Sequence, residues 1–247
     1  GATDKDRDEQ FTWRGGLNYL FDNGISPYFS YSESFEPVSG ATQSGKSFDP
    51  SHGKQYEAGV KYIPQDQPIS LTAAIYQLTK DNNLTADPTN SSFSVQSGEI
   101  RSRGIELEAK AAVNANVNLT ASYTFTDAEY TKDTNLKGQR PVEVPRNMAS
   151  LWADYTFHET ALSGLTLGSG VRYVGATNTI DAANQQYNVA AYTLVDATVK
   201  YDLARVGLPG STVGLNINNL FDREYVSSCY RDYACYWGSD RQVVATA

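Results

Sequence analysis

The sequence predicts an all-β protein whose antiparallel strands follow one another in an up-and-down meander. Three observations lead to this fold class. Apolar and polar residues alternate with a period of two along most of the 247 residues, as they do in strands with one buried face. The connections between these segments alternate between short and long. No stretch has the period of an amphipathic helix or approaches the roughly 18 apolar residues of a membrane helix.

The strands are justified by this alternation, because successive side chains of a strand point to opposite faces of its sheet. In segment 149–157, for example, the odd positions are Ala, Leu, Ala, Tyr and Phe, whereas the even positions are Ser, Trp, Asp and Thr. Segments 69–80 and 242–247 show a weaker pattern, and many segments exceed the usual five or six residues. The eleven predicted strands are 11–21, 25–32, 56–62, 69–80, 105–113, 117–126, 149–157, 165–173, 195–203, 212–218 and 242–247.

The connections carry a second signal, because every second connection of a meander lies at the same end of the sheet. The short ones are 22–24, 64–67, 114–116 and 159–164, with 204–210 of moderate length, and the long ones are 38–52, 82–98, 132–145, 178–190 and 223–237. One end of the sheet is therefore expected to carry turns and the other to carry long loops. Outer-membrane barrels have this asymmetry.

The chemistry of the two strand faces also fits a transmembrane β-barrel. The apolar faces carry no charge, as a lipid-facing surface requires. Aromatic residues near strand ends, such as Trp13, Tyr62 and Tyr201, are typical of interface girdles. The opposite faces suit a watery or plugged lumen, and their charged residues are Arg14, Lys61, Glu106, Glu108, Lys110, Asp154, Arg172, Asp196, Lys200 and Asp202.

Composition excludes other classes of protein. The chain has 28 acidic and 20 basic residues, a net charge of −8, and therefore lacks the basic surface that a nucleic-acid binder needs. We expect no catalytic site, because the sequence contains none of the short motifs of hydrolases, nucleotide-binding loops or zinc proteases. We also expect no protein metal site, because His52 and His158 lie far apart in the sequence.

The two cysteines, Cys229 and Cys235, are six residues apart in the last long connection. We predict that they form a local disulfide that fixes this loop, which implies an oxidising compartment. Two free thiols in a cytosolic loop are the alternative.

An odd number of strands does not fit the even-strand rule of single-chain bacterial barrels. The chain begins in a charged segment and ends within a predicted strand. We therefore expect residues 1–247 to be a fragment with two unpaired sheet edges, lacking an upstream part and a few downstream residues. The alternative is that a second chain supplies the other half of the barrel.

Two segments carry a family resemblance. Residues 218–225 (NNLFDREY) and 28–37 (YFSYSESFEP) resemble TonB-dependent outer-membrane receptors. The segments GKQYEAGVKY (53–62), ASLWADYTF (149–157), YDLARVG (201–207) and WGSDRQVVATA (237–247) resemble the branch of that family that takes up ferrichrome and other hydroxamate siderophores. The resemblance runs from about residue 11 to residue 247 and covers the C-terminal half of the barrel.

The resemblance implies energised transport and not catalysis. A receptor of this family binds a ferric siderophore outside the cell, and TonB pulls on its plug domain so that the siderophore can pass. The siderophore supplies the ligands to iron, so no intrinsic cofactor is implied. The implied partners are the ferric siderophore, the N-terminal half of the barrel and the plug, TonB, outer-membrane lipid, and phages or bacteriocins at the extracellular loops.

The aromatic residues of the last long loop are the candidate ligand contacts. Aromatic faces bury much area of a bulky neutral ligand at low entropic cost. The resemblance assigns a siderophore contact to Tyr230, and packing of this ring against the barrel rim is the alternative. For Tyr233, Tyr236 and Trp237 we expect rim packing. Five basic residues are expected to face the plug or the lumen water, in ion pairs with Glu106, Glu108 and Asp154: Arg14, Arg101, Arg103, Lys110 and Arg172.

Two other functions fit the pattern. A passive porin or autotransporter barrel would have the same strands, and the absence of a plug domain from the full gene would favour it. The strands of a soluble β-rich carbohydrate-binding module would also alternate between apolar and polar residues. Solubility of the full protein without detergent would favour this alternative.

Overall fold

The computed structural model describes residues 9–87, 89–90, 92–159 and 161–247. Within these ranges it has fifteen strands and one short 3-10 helix, Leu203–Val206, and no helix in them is long and apolar enough to cross a membrane. The strands are β1 (Arg14–Asn18), β2 (Ile25–Glu36), β3 (Ser51–Tyr62), β4 (Ile69–Ala86), β5 (Ser94–Ala112), β6 (Val117–Lys132), β7 (Asn147–Thr156), β8 (Leu165–Val174), β9 (Thr177–Ile180), β10 (Gln186–Val189), β11 (Tyr192–Asp202), β12 (Thr212–Asn218), β13 (Val226–Arg231), β14 (Ala234–Trp237) and β15 (Gln242–Thr246).

Eleven of the strands form one antiparallel sheet in the order β1-β2-β3-β4-β5-β6-β7-β8-β11-β12-β15. The two hairpins β9–β10 and β13–β14 form separate two-stranded sheets within the connections. The predicted meander of eleven strands is therefore confirmed. Within the described residues β1 and β15 each pair with one neighbour, so both edges of the sheet are open.

The short connections lie together at one end of the sheet, which we call the turn end, and the long ones lie at the other, the loop end. Local chemistry shapes the turns. Gly24 adopts φ +83°, and a side chain there would clash with the backbone of Ile63 and Pro64. In the turn between β5 and β6, the Asn114 side chain accepts hydrogen bonds from the N–H groups of Asn116 (2.8 Å) and Val117 (3.0 Å).

The main sheet exposes its apolar side chains and shelters its polar ones. On β4, Ile75 is 60% exposed, whereas Tyr76 on the opposite face is half-buried. None of the large side chains in the described residues is fully buried. We call the face of Ile75 the outward face and the face of Tyr76 the inward face. An apolar surface of this extent is untenable in water and is what a lipid-facing barrel wall presents.

Polar side chains on the inward face join neighbouring strands. The hydroxyls of Ser122 and Ser150 lie 2.8 Å apart between β6 and β7, and Thr198 on β11 donates to Asn216 on β12 over 2.8 Å. The ring of Tyr76 covers Gly104, where an added side-chain carbon would come within 2.6 Å of the ring. A glycine here gives the inward aromatic ring room to lie flat on the sheet.

The structure differs from the predicted strands in three respects. β1 is shorter than the predicted 11–21, although hydrogen bonds from Glu33 N–H to Trp13 O (3.0 Å) and from Tyr19 N–H to Pro27 O (3.1 Å) continue its ladder. The strands β2 to β6 and β11 extend beyond their predicted bounds at the loop end. The predicted loops 178–190 and 223–237 contain the hairpins β9–β10 and β13–β14.

Candidate functional site

The disulfide hairpin, β13–β14, is the centre of the candidate site. Cys229 and Cys235 are cross-strand partners in it, and their sulfur atoms are 2.01 Å apart. The predicted disulfide is therefore confirmed. Cys229 is buried. The strand that carries it, β13, bulges on either side of the cysteine. The bond fixes the hairpin where its hydrogen-bond ladder is irregular.

The disulfide hairpin is joined to the neighbouring hairpin, β9–β10. The N–H of Asp232 donates to the carbonyl of Ile180 over 3.2 Å, and the Arg231 guanidinium donates to the carbonyl of Asp181 over 3.1 Å. All four residues of β9 are buried. The two hairpins therefore form one packed unit above the loop end of the sheet, which we call the loop clasp.

The turn of β9–β10 is organised by Asp181. Its carboxylate accepts hydrogen bonds from the N–H groups of Ala183 (2.8 Å) and Gln185 (2.9 Å) and from the hydroxyl of Tyr187 (3.0 Å). These hydrogen bonds hold the pKa of Asp181 below its ordinary value, and the bond from the Gln185 N–H contributes most. The same carboxylate raises the pKa of Tyr187. The charge of Asp181 therefore contributes to the shape of the hairpin.

Asn219 closes the base of the last loop. It is 3% exposed and adopts φ +53°, a conformation that Asn tolerates better than most residues. Its side chain donates to the carbonyls of Arg223 (2.9 Å) and Ser239 (3.2 Å) and accepts from the N–H of Arg223 (2.9 Å). One side chain thus ties together both ends of segment 223–239, which carries the disulfide hairpin.

Asn219 is in turn anchored to the sheet. Its N–H donates to the carboxylate of Asp196 on β11 over 2.9 Å, and Arg172 on β8 holds the same carboxylate with two hydrogen bonds of 2.5 and 2.9 Å. Such a two-point contact between a guanidinium and a carboxylate fixes geometry as well as charge. The role of Asn219 was missed in the sequence, although the residue lies in the NNLFDREY segment that carries the family resemblance.

Tyr230 is 55% exposed and stands next to Arg231, whose guanidinium lies 5.7 Å from the ring centroid. Tyr130 lies near the end of β6, which has 16 residues. Because a transmembrane strand needs only about 9–11 residues, Tyr130 lies beyond the part of β6 that crosses the membrane. Burial raises the pKa of Tyr130, and Asp133 and Tyr230 raise it further. Tyr130 has the inward parity of Thr126, so Tyr230 lies near an inward-facing ring at the loop end. This position suits a contact with a ligand that enters the lumen, and Tyr230 stays a predicted contact.

The remaining aromatic rings of the hairpin are exposed. Tyr233 is 81% and Trp237 is 74% exposed, and Tyr236 is also exposed. Within the described residues these three rings do not pack against the sheet, so their packing against the rim of the complete barrel stays a prediction. A cleft of about 530 Å³ opens at the loop clasp, with walls that include Tyr187, Tyr225 and Asp232 but none of these three rings.

The predicted lumen cations divide into two groups. Arg172 forms the inward ion pair with Asp196, but Arg101 and Arg103 have the outward parity of Ile105 and do not face the lumen. Their partners are Glu129 and the Gln77 carboxamide, and not Glu106 or Glu108 as expected. Asp154 accepts a hydrogen bond from Asn118 over 2.9 Å. In the described parts of the chain, no group of three or more His, Cys, Asp or Glu residues is arranged to hold a metal ion.

Comparison with known proteins places this geometry in a family. A family model described as TonB dependent receptor-like, beta-barrel, matches residues 1–220. The ferrichrome outer membrane transporter/phage receptor of Escherichia coli (strain K12) is 64% identical over 247 residues, which are all of this chain and 33% of that protein. The ferrioxamine B receptor of Salmonella typhimurium is 45% identical over 235 residues, which are 94% of this chain and 33% of that receptor.

Solved structures share the fold. The pyoverdine outer membrane receptor FpvA from Pseudomonas aeruginosa PAO1 superposes with a TM-score of 0.78 at 22% identity, over 96% of this chain and 35% of that one. The siderophore receptor PiuA from Acinetobacter baumannii gives 0.73 at 27% identity, over 95% and 35%. The chain thus spans about a third of the length of the relatives that it matches.

Proposed function

Because the chain belongs to the TonB-dependent receptor family, as part of its β-barrel, we propose that it is the C-terminal part of a receptor that imports ferric hydroxamate siderophores across the bacterial outer membrane. The receptor moves its ligand and catalyses no reaction on it. Import is energised through TonB. The iron is cargo, held by the oxygen atoms of the siderophore.

The single observation that carries this proposal is the 64% identity over all 247 residues to a protein named as a ferrichrome transporter. The ferrioxamine B receptor, another relative, is named for a second hydroxamate siderophore, which favours this chemical class over catecholates. The sheet, which exposes its apolar side chains and shelters its polar ones, supports a location in the outer membrane. Its outward face suits lipid, and its inward face carries hydrogen-bonded polar groups that suit a water-filled or plugged lumen.

In this proposal residues 1–247 form one part of a larger closed barrel. An open strand edge is untenable in lipid, so β1 and β15 pair with strands from the rest of the receptor. The rest of the receptor also supplies the plug domain through which TonB acts. The turn end faces the periplasm, and the loop end with the loop clasp faces the outside.

The loop clasp presents Tyr230 to the arriving siderophore. Asn219 and the disulfide hold the hairpin before the ligand arrives, so little ordering is needed on binding. The other exposed rings of the hairpin are the surface that a phage or bacteriocin would meet. The E. coli relative is itself named as a phage receptor.

The proposal is tested by iron uptake. The complete receptor gene is expressed in a strain that lacks its own hydroxamate receptors, and accumulation of radioactive iron from ferrichrome and ferrioxamine B is compared with and without TonB. We expect uptake of at least one of the two that requires TonB. Uptake that persists without TonB would indicate a passive channel, and no uptake of either compound would exclude a hydroxamate receptor.

A further inference from the structure

The outward face of the sheet contains a depression of about 500 Å³ across β2 to β6. Its apolar floor includes Phe29, Tyr56, Ala58, Ile75 and Ile105. Ala58 is the smallest of these side chains and lies between Phe29 and Ile75 in the strand register, so the surface sinks at this point. A concave patch on a lipid-facing wall holds an acyl chain more closely than a convex wall does, because more of the chain is in van der Waals contact.

The strand register gives the depression a polar upper edge. The first row across the sheet reads Phe29, Ala58, Ile75, Ile105 and Phe125. The next row toward the loop end reads Tyr31, Tyr56, Gln77, Arg103 and Asp127. Gln77, Arg103 and Asp127 all line the depression. The outward face therefore changes from apolar to charged within two rows, as it would at the boundary between acyl chains and headgroups.

Arg103 is the distinctive group of this edge. Its side chain is exposed, and its Nε donates to the Gln77 carboxamide over 2.7 Å. No carboxylate of the described residues lies within 4.0 Å of its nitrogen atoms, whereas Arg101 pairs with Glu129, and Arg146 pairs with Asp127 over 3.1 Å. Unlike those of Arg101 and Arg146, the guanidinium of Arg103 thus keeps N–H donors and a positive charge that no neighbouring carboxylate neutralises. An exposed guanidinium with a neutral partner is suited to bind phosphate.

We propose that this depression binds a phosphate-bearing lipid of the outer leaflet, with an acyl chain on the apolar floor and the phosphate at Arg103. The site is on the outside of the barrel wall and is separate from the proposed siderophore path. The occupant is a membrane lipid and not a soluble anion, because the apolar floor faces the acyl region and adjoins Arg103, the one cation among the described residues that line the depression. The carboxylate of Asp127 would repel an anion, but its ion pair with Arg146 neutralises its charge.

The experiment is lipid titration of the purified complete receptor in detergent, followed by native mass spectrometry. Phosphatidic acid is the probe, diacylglycerol is the same lipid without its phosphate, and inorganic phosphate is the soluble competitor. Arg103→Gln removes the charge, and Ala58→Trp fills the depression. Ala153→Trp, on the outward face of β7, and Lys46→Gln, in an exposed loop, are the matched controls.

We expect the first phosphatidic acid to bind about fivefold more weakly to Arg103→Gln and about tenfold more weakly to Ala58→Trp. The two controls should bind it like the wild type, and diacylglycerol should bind wild type and Arg103→Gln equally. Unchanged binding in both test variants would overturn the proposal. Displacement of the lipid by inorganic phosphate at similar concentration would overturn it too, because the site would then be an anion site. Ferrichrome binding, measured on the same variants, should not change, so a failure here is distinguishable from a failure of the proposed function.

Discussion

Tyr230 is the predicted siderophore contact, and its ring is exposed. If the ring buries a few tens of Å² against the siderophore, its removal costs about 1 kcal/mol at roughly 25 cal/mol per Å². We therefore predict that Tyr230→Ala weakens ferrichrome binding to the complete receptor about fivefold to tenfold. Tyr230→Phe should bind nearly normally, because the ring and its area remain.

Tyr233→Ala is the matched control, because Tyr233 is an exposed tyrosine of the same hairpin. Binding is measured in detergent at equal amounts of folded receptor. Equal affinity of Tyr230→Ala and wild type would leave Tyr230 as a loop residue without ligand contact. A loss in Tyr230→Phe as large as that in Tyr230→Ala would assign the contact to the hydroxyl instead of the ring.

Asn219 is predicted to hold the last loop in place. Asn219→Ala leaves the carbonyls of Arg223 and Ser239 without their side-chain donor, and alanine disfavours φ +53°. We expect a local cost of about 1–3 kcal/mol and faster amide hydrogen exchange in segment 223–239. Asn218→Ala, at the exposed neighbouring position, should leave exchange unchanged. Equal protection of the segment in both variants would show that the loop is held by other contacts.

At the scale of single elements, the disulfide is predicted to stabilise only its hairpin. The loop that it closes is short, so the gain in chain entropy is about 2 kcal/mol. Chemical reduction should increase hydrogen exchange within β13–β14 and leave the melting temperature of the barrel nearly unchanged. A large drop in that temperature would mean that the hairpin supports the whole wall.

The β9–β10 hairpin is predicted to loosen in acid. The folded pKa of Asp181 is lower than its unfolded value of about 3.9, so its contribution is fully present above that pH and is lost as the pH falls through the folded pKa. A spin label at Ala182 should therefore gain mobility below about pH 4. In Asp181→Asn the amide oxygen still accepts the turn's hydrogen bonds and does not titrate in this range. The same mobility change in Asp181→Asn would assign the acid response to another group.

The elements that the sequence predicted and those that it missed differ in their surroundings. The strands of the main sheet, such as β7, separate lipid from polar interior, and this contrast appears as strict alternation. β9 is buried on all sides and β13 is bulged, so neither shows a period of two. The loop-end part of β4, DNNLTA (81–86), is mostly polar and half-buried, and it was therefore predicted as loop.

The candidate site was predictable to the same partial degree. The spacing of Cys229 and Cys235 was enough to predict their bond, which is local. The outward position of Arg103 follows from its parity with Ile105, but its charge led to the expectation of a lumen residue. The roles of Asn219 and Asp181 depend on contacts with Ser239 and Tyr187, whose proximity only the fold brings about.

At the scale of the whole molecule, the sheet with its apolar face outward is the feature on which the proposed membrane location depends. It is tested most directly by spin labels placed one at a time along 148–156 of β7, in the complete receptor in lipid bilayers. We predict that labels at odd positions such as 151 and 153 collide with oxygen, which partitions into lipid, and that labels at even positions such as 150 and 152 do not. Equal exposure of both faces to a water-soluble relaxing agent would contradict a membrane wall and would favour a soluble β-protein.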